Sequence, residues 1–191
     1  MRRPFALVLL AFAGCGYGFA GVAPYVPPQA RTVTVEAFHN HTRENGLDVQ
    51  LKRAVEDEIR RHGQLRVVSN DEGDLVLSGD IRRFAQIPVA YSATDEAVQY
   101  QGVIVIGMRL VERESGRVLH ETKLLQETQD FGAVSGVVIA SSPHFERGIV
   151  DSRDLAEMTN TQIGEARRHS AIDDLIDLVA HDVYLQSLEG F

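Results

Sequence analysis

The strongest constraint on the fold is a run of hydrophobic residues that alternate between two faces, at residues 100–112. Successive side chains of a strand point to opposite faces, and both faces are apolar in the first half of this run. We therefore predict a strand with neighbours on both sides, in the middle of a β-sheet. Residues 113–117 have the length of a hairpin turn, and residues 118–129 return as an antiparallel partner.

Shorter patterns on both sides of this hairpin complete the predicted fold. The other strands that alternation predicts are residues 31–38, 65–68 and 74–84. We expect Pro88 to end whatever follows the last of them. Apolar residues recur at helical spacing from Leu47 to Ile59, and again after about residue 161. The fold class is therefore an α+β two-layer sandwich, in which two helices cover one face of an antiparallel or mixed sheet of four to five strands.

The amino terminus has the plan of a secretory signal peptide. Arg2 and Arg3 precede an apolar run from Phe5 to Phe12, and the only cysteine follows two small residues, at position 15. The run is too short for the ~20 apolar residues of a membrane-spanning helix. The segment Phe12-Ala13-Gly14-Cys15 resembles a bacterial lipobox, in which the thiol is acylated and becomes the new amino terminus. The arginine pair also loosely resembles a twin-arginine signal, so both export routes stay open.

A lipobox divides the chain into three parts. Residues 1–14 are the signal peptide, residues 15–30 are the lipidated Cys15 and a flexible tether, and residues 31–191 form one domain. Several acyl chains on Cys15 would anchor the protein stably in a membrane. Gly16 stands where inner-membrane lipoproteins often carry Asp, so the resemblance favours the outer membrane. The alternative is an unmodified Cys15 beyond an ordinary cleavage site.

Charge and cysteine content exclude several classes of function. The formal net charge is -8 at pH 7, which makes the chain a poor partner for the phosphates of nucleic acid. An anionic ligand therefore requires a local basic patch. With Cys15 acylated, no thiol remains for a disulfide, a zinc cluster or a catalytic nucleophile. We expect no cofactor other than the covalent lipid.

No catalytic or metal-binding motif stands out among the remaining residues. His39 and His41 could place two imidazoles on one face of a strand, but no cysteine can assist them. The carboxylates nearby are of the solvent-exposed kind, so we expect no metal site. The sequence contains no Gly-x-Ser-x-Gly elbow around a serine nucleophile. We therefore predict that the protein is not an enzyme.

One long segment, residues 131–160, fits neither the strand period nor the helix period. It contains a run of small and apolar residues, and a loop of this length in a compact domain is usually functional or mobile. Exposed apolar stretches mark interfaces. The residues that we predict to contact a protein partner are Val134, Val137, Val138 and Ile139.

The order of several short motifs along the chain is also informative. After the lipobox come Gly16-Tyr17-Gly18-Phe19, then a Phe-x-Asn-x-Thr spacing at residues 38–42, and then Gly46-Leu47 at the start of a helix. A long strand begins at residues 74–81, and a helix closes the chain. This order resembles the LptE family of lipopolysaccharide-assembly lipoproteins, and the likeness spans nearly the whole mature chain.

The resemblance implies an outer-membrane lipoprotein that sits as a plug inside the β-barrel translocon LptD, helps to assemble it, and contacts lipopolysaccharide. Thr122-Lys123 looks like the family's Thr-Lys pair, whose lysine is implicated in lipopolysaccharide contact. We predict that Lys123 forms a basic patch with Arg82 or Arg109 on one sheet face, and that Arg83 points the other way. The alternative is an edge-strand lysine that only discourages aggregation.

Two other functions stay open from the residues alone. An envelope lipoprotein could bind a small ligand or peptidoglycan, and a pocket lined by convergent polar groups would favour that function. A subunit of a different envelope secretion machine would share the tether and the two-layer fold.

Overall fold

The structure, a computed structural model, describes residues 25–69, 72–93, 95, 97–132 and 160–189. Several predictions therefore concern residues outside the described part of the chain. They are the signal peptide, the lipidation of Cys15, and the interface residues Val134, Val137, Val138 and Ile139.

In the part of the chain that the structure describes, six strands form one mixed sheet. Their bounds are β1 Thr32–Val35, β2 His39–Asn40, β3 Arg66–Val67, β4 Leu75–Tyr91, β5 Ala97–Glu112 and β6 Val118–Gly132. The order across the sheet is β3-β1-β4-β5-β6, and β2 also pairs with β4. β1 runs parallel to β3 and β4, whereas β4, β5 and β6 are antiparallel neighbours. The parallel pair of β1 and β3 is possible because a helix crosses between them.

Two helices pack against one face of this sheet. They are α1 (Leu47–His62) and α2 (Asn160–Tyr184), and α2 continues into a π-helical turn at Leu185–Glu189. α1 ends at Gly63, whose φ of 69° is a left-handed conformation that glycine adopts without strain. The Gly63 N–H donates to the carbonyl oxygen of Ile59 over 3.1 Å. In the described residues, neither helix is long and apolar enough to cross a membrane.

The hydrophobic core lies between the helices and the sheet. Leu51 and Val55 of α1 and Val179 and Val183 of α2 have no exposed surface. The fully buried residues that the sheet contributes opposite them include Val33, Leu75, Leu77, Ile81, Ile106 and Leu110. The predicted α+β class, with two helices on one face of a sheet, is therefore confirmed.

The first predicted strand, residues 31–38, ends early, and a separate short strand, β2, follows it at His39–Asn40. β1 ends at Val35, although the Glu36 N–H still donates to the Leu77 carbonyl over 2.9 Å. The chain then turns so that Phe38, which is 2% exposed, enters the core, and pairing resumes at Asp80 of β4. Within the described residues the sheet therefore has six strands, whereas we predicted four to five.

The prediction that Pro88 ends its segment is wrong. β4 continues to Tyr91, and Pro88 pairs with Tyr100 of β5. Proline cannot donate to a strand ladder, so it is tolerated at sheet edges and at bulges. The register shifts directly after Pro88, and no described strand pairs with the other side of β4 there.

The last residues of the predicted tether lie against the domain. The ring of Tyr25 is 5.0 Å from the ring of His120 on β6. The Ala30 N–H donates to the Pro27 carbonyl over 2.9 Å, which closes a turn just before β1. Ala30 itself is only 5% exposed, so packing of the domain begins before residue 31.

Candidate functional site

The charged residues that the sequence singled out lie on the sheet face opposite the helices. We call this surface the open face. Its members follow from strand register, because directly paired residues share a face and every second residue of β5 points away from the core. The open-face residues around the middle of the sheet are Ser78, Asp80, Arg83, Val103, Val105, Gly107, Arg109, Glu121 and Gln126.

Gly107 marks the centre of the charged part of the open face. It pairs with Asp80 of β4. A Cβ atom at Gly107 would lie 2.7 Å from Nη2 of Arg82 and 2.9 Å from Oδ1 of Asp80. The guanidinium of Arg82 therefore lies directly over the Gly107 backbone, in space that any larger residue would occupy.

Asp80 orients the guanidinium of Arg82. Nε of Arg82 donates to Oδ2 of Asp80 over 2.5 Å, and Nη2 lies 3.4 Å from Oδ1. The hydrogen bond that Arg82 donates to Asp80 raises the pKa of Arg82, and the charge of Glu121 adds to this effect. Arg82 therefore stays cationic at every physiological pH, and its exposed side chain faces solvent.

A bulge in β4 brings a further arginine onto the open face. Ile81 pairs with Ile106 and Arg83 pairs with Val105, so Arg82 is the extra residue between two consecutive pairs. Because two residues oppose one at a bulge, the strict alternation of faces is lost. Our prediction that Arg83 points away from Arg82 is therefore wrong, and Arg83 adds its charge to the same surface.

Arg109 lies on the open face beside these two arginines. It pairs with Ser78 of β4 on one side and with Glu121 of β6 on the other. Arg109 is exposed. Within the described part of the chain it forms no ion pair, so its charge is available to a ligand.

A second bulge places Lys123 next to Gly107. Ile106 pairs with Leu125 and Met108 pairs with Thr122, so Gly107 is opposed by both Lys123 and Leu124. Lys123 is exposed and makes no ion pair with any residue that the structure describes. Leu124 is 69% exposed, which places a large apolar side chain beside the cation.

Thr122, the other member of the predicted Thr-Lys pair, faces the helices. Its Oγ1 donates to Oε1 of Gln186 over 3.1 Å and lies 2.8 Å from Nε2 of His120. These contacts hold β6 against the end of α2. Thr122 therefore positions the strand, while Lys123 faces solvent on the opposite side.

The structure thus brings the three predicted residues Arg82, Arg109 and Lys123 together around Gly107. Arg83 adds a fourth cation. The carboxylates among them are Asp80 and Glu121, so cations outnumber anions on this surface although the whole chain carries a net charge of -8. The arrangement can hold an anionic group against an exposed leucine.

Sequence reasoning missed a second cluster, on the helical layer. Glu58, His62 and His181 offer ligand atoms that all lie within 4.8 Å of one another. The only sequence signal was the spacing of Glu58 and His62, which are one helical turn apart on α1. His39 and His41, the pair considered from the sequence, are exposed and belong to no such cluster in the described residues.

Solved structures show distant similarity to this chain. A protein from Xanthomonas campestris is 13% identical with a TM-score of 0.49, covering 85% of this chain and 87% of that one. The PelC dodecamer from Paraburkholderia phytofirmans is 14% identical with a TM-score of 0.43, covering 84% and 93%. A minor lipoprotein from Acinetobacter baumannii is 12% identical with a TM-score of 0.40, covering 85% and 96%. Similarity at this level carries no functional argument.

A family match is more informative. No curated protein sequence matches the chain. The family described as LptE, lipopolysaccharide-assembly, matches residues 30–187, which is most of the chain and nearly all of the described domain. This match confirms the resemblance drawn from the sequence motifs. The chain therefore belongs to the LptE family of lipopolysaccharide-assembly proteins.

Proposed function

We propose that the protein is an envelope lipoprotein, anchored in the outer membrane through acylated Cys15, that assembles with an LptD-like β-barrel and assists lipopolysaccharide delivery. Membership of the LptE family supports this function. The protein would act by binding and shape, without catalysis and without contact to nucleic acid.

The observation that carries the proposal is the open face around Gly107. Lipopolysaccharide combines phosphate groups with acyl chains, so a surface that recognises it needs cations next to apolar side chains. Lys123 provides a point charge suited to phosphate, and Arg82 and Arg109 provide planar donors. Exposed Leu124 lies beside them. We assign the lipopolysaccharide contact to these four residues.

A small-ligand function has weaker support. A groove of about 250 Å³ lies between β1 and α1, and its lining includes Glu36, Lys52 and Glu56. Ligand pockets usually have volumes of roughly 300–1,000 Å³ and mostly apolar walls. This groove is smaller and polar, so the open face is the better candidate.

The contact with the barrel is proposed for residues 133–142, on the basis of their small and apolar sequence. Deleting these residues should reduce co-purification with the barrel from outer membranes. Undiminished co-purification of a folded deletion variant would contradict this part of the proposal and leave the open face untouched.

The lipopolysaccharide contact can be tested with Lys123→Asp in the purified full chain in detergent. A charge-assisted hydrogen bond contributes about 1.5–3 kcal/mol, so we expect lipopolysaccharide binding to weaken roughly ten- to hundredfold. Arg109→Glu should have an effect of the same sign. Binding can be measured by displacement of a fluorescent lipopolysaccharide.

The chain offers a matched control in its other lysine, Lys52. Lys52 lies on α1, in the helical layer, where its Nζ is 3.8 Å from Oε1 of Glu56. Lys52→Asp makes the same change in net charge away from the open face. If Lys52→Asp and Lys123→Asp weaken binding equally, total charge rather than the open face governs binding, and the assignment is wrong.

A further inference from the structure

Three side chains with metal-binding atoms converge where the carboxyl end of α1 meets α2. Glu58 and His62 project from the same face of α1, one helical turn apart. His181 reaches them from α2. The oxygen and the two nitrogens all lie within 4.8 Å of one another. This cluster is on the helical layer and is separate from the open face.

Two of the three distances between the ligand atoms are close to those of a zinc site. Nε2 of His62 lies 3.1 Å from Oε1 of Glu58, and Nδ1 of His181 lies 2.8 Å from the same oxygen. Zinc binds nitrogen and oxygen ligands at about 2.0–2.2 Å in a tetrahedron, which separates neighbouring ligand atoms by roughly 3.3 Å. Both distances to Oε1 of Glu58 are close to that separation, and the two nitrogens lie within 4.8 Å of each other, so rotation of the two imidazoles would admit the ion.

The surrounding residues orient the three ligands. Glu58 is 4% exposed, and its second oxygen Oε2 accepts a hydrogen bond from Arg61, which leaves Oε1 for a metal. The His62 ring stacks on Tyr184 with 4.0 Å between centroids. Nδ1 of His62 lies 3.8 Å from Oε1 of Glu189, close enough for that carboxylate to fix the ring tautomer after a small movement.

The cluster is also accessible. The His62 side chain is 33% exposed and the His181 side chain is 50% exposed. An ion can therefore enter from solvent, while the buried carboxylate supplies an anionic ligand from the inside. Three protein ligands leave the fourth tetrahedral position to water.

We propose that Glu58, His62 and His181 bind one zinc ion, which links α1 to α2. Two imidazoles and one carboxylate form a donor set that suits zinc better than magnesium or calcium, which prefer oxygen ligands. On binding, each coordinating nitrogen exchanges its hydrogen bond to Glu58 for the metal, and its proton moves to the other ring nitrogen or to solvent. The ion fixes the terminal helix against the rest of the helical layer.

The test uses the full chain without a histidine tag, purified in detergent and freed of metal by a chelator. Calorimetric titration with zinc should give one ion per chain, and zinc should raise the thermal midpoint. Cobalt in place of zinc should give the intense visible absorption of a tetrahedral site. His181→Gln should weaken zinc binding by more than the roughly 100-fold that loss of a surrounding hydrogen-bond partner can cost.

Two matched controls define the location of the site. His169→Gln changes an exposed histidine on the same helix, three turns away, and should leave zinc binding unchanged. The double variant His39→Gln/His41→Gln removes the other histidine pair and should also bind zinc normally. Circular dichroism verifies that each variant is folded, which is expected for His181→Gln because that side chain is half exposed.

Either of two results would overturn the proposal. One is an absence of zinc binding by the folded, tag-free chain, in which case the cluster is only a hydrogen-bonded clamp between the helices. The other is equal zinc affinity in His181→Gln and His169→Gln. Neither result would affect the lipopolysaccharide assignment, which depends on residues of the open face.

Discussion

The aromatic ring of Phe38 lies directly on Gly79, where β4 has no side chain. A Cβ atom at Gly79 would lie 2.6 Å from Cε1 of Phe38 and 2.4 Å from the carbonyl oxygen of Gly107. Phe38 is 2% exposed, and protein interiors are packed too densely for such a ring to move freely. Glycine at this position therefore allows Phe38 to enter the core between β1 and β2.

Gly79→Ala should destabilise the domain. The added methyl group must displace either the ring of Phe38 or the backbone of β5, and overpacking of this kind costs about 1–3 kcal/mol. Urea denaturation of the full chain, followed by circular dichroism, should show a corresponding fall in the free energy of unfolding.

Gly164→Ala is the matched control for this substitution. A Cβ atom at Gly164, inside α2, would have no neighbour within 4 Å among the residues that the structure describes. Alanine should stabilise the helix there by about 0.5–1 kcal/mol. A Gly79→Ala variant that is as stable as the unaltered chain would contradict the placement of Phe38.

Gly107→Ala should leave stability nearly unchanged but disturb the open face. The methyl group would meet the side-chain ends of Arg82 and Asp80 rather than backbone, so the free energy of unfolding should change by less than about 0.5 kcal/mol. The displaced guanidinium loses its orientation by Asp80, and we expect lipopolysaccharide to bind severalfold more weakly. Measuring both quantities on one preparation separates the two effects, and unchanged binding would count against a role for Arg82.

Asp74 should stabilise the domain most strongly at pH values above the ordinary pKa of an aspartate. Its Oδ2 accepts hydrogen bonds from the backbone N–H groups of Arg31 and Thr32, at 2.8 and 2.9 Å, and from Oγ1 of Thr32 at 2.9 Å. The bond from Arg31 is the largest of the causes that lower the pKa of Asp74. The unfolded chain therefore takes up protons first on acidification, and this stabilisation is lost as the pH falls through the lowered pKa.

Asp74→Asn should consequently lower the urea midpoint at pH 7. The difference from the unaltered chain should shrink as the pH falls from about 5 through the lowered pKa of Asp74, because the carboxylate of the unaltered chain is neutralised there. A difference that stays constant over this range would show that the charge of Asp74 is not involved.

Glu127 should have the opposite pH dependence. It lies on β6 facing α2, and burial raises its pKa, with a hydrogen bond to Asp182 as a further cause. At pH values between about 4.5 and the raised pKa, the folded domain holds a proton on Glu127 that the unfolded chain has released. Stability therefore falls as the pH rises through this range. Glu127→Gln should raise the urea midpoint at pH 7.5 and have little effect near pH 4.

Glu121→Gln provides the comparison for Glu127. Glu121 is on the same strand but on the open face, where it is exposed. This variant should change the urea midpoint at pH 7.5 less than Glu127→Gln does. Equal shifts in the two variants would indicate a general effect of net charge rather than the half-buried contact between Glu127 and Asp182.

The central part of the fold could be predicted because its pattern is local. The alternation from Ile104 to Leu110 and the turn after Glu112 define the hairpin of β5 and β6 without further information. The break after Val35 and the passage of β4 through Pro88 depend on contacts with distant strands. Local propensity alone therefore gave the wrong strand ends at these two positions.

The candidate site was predictable in its members but not in its geometry. Arg82, Arg109 and Lys123 could be named from charge and family resemblance, yet their approach around Gly107 depends on two bulges. A bulge shifts the register by one residue and has no dependable local signature here. The zinc-binding cluster was missed because His181 lies 123 residues beyond Glu58 in the sequence.

β1 is an interior strand although it lies near the amino end of the described chain. β3 flanks it on one side and β4 on the other, both parallel to it. A pull on β1 from the amino-terminal side therefore acts against its hydrogen bonds to both neighbours. A tether would therefore join the domain at a strand that is held on both sides.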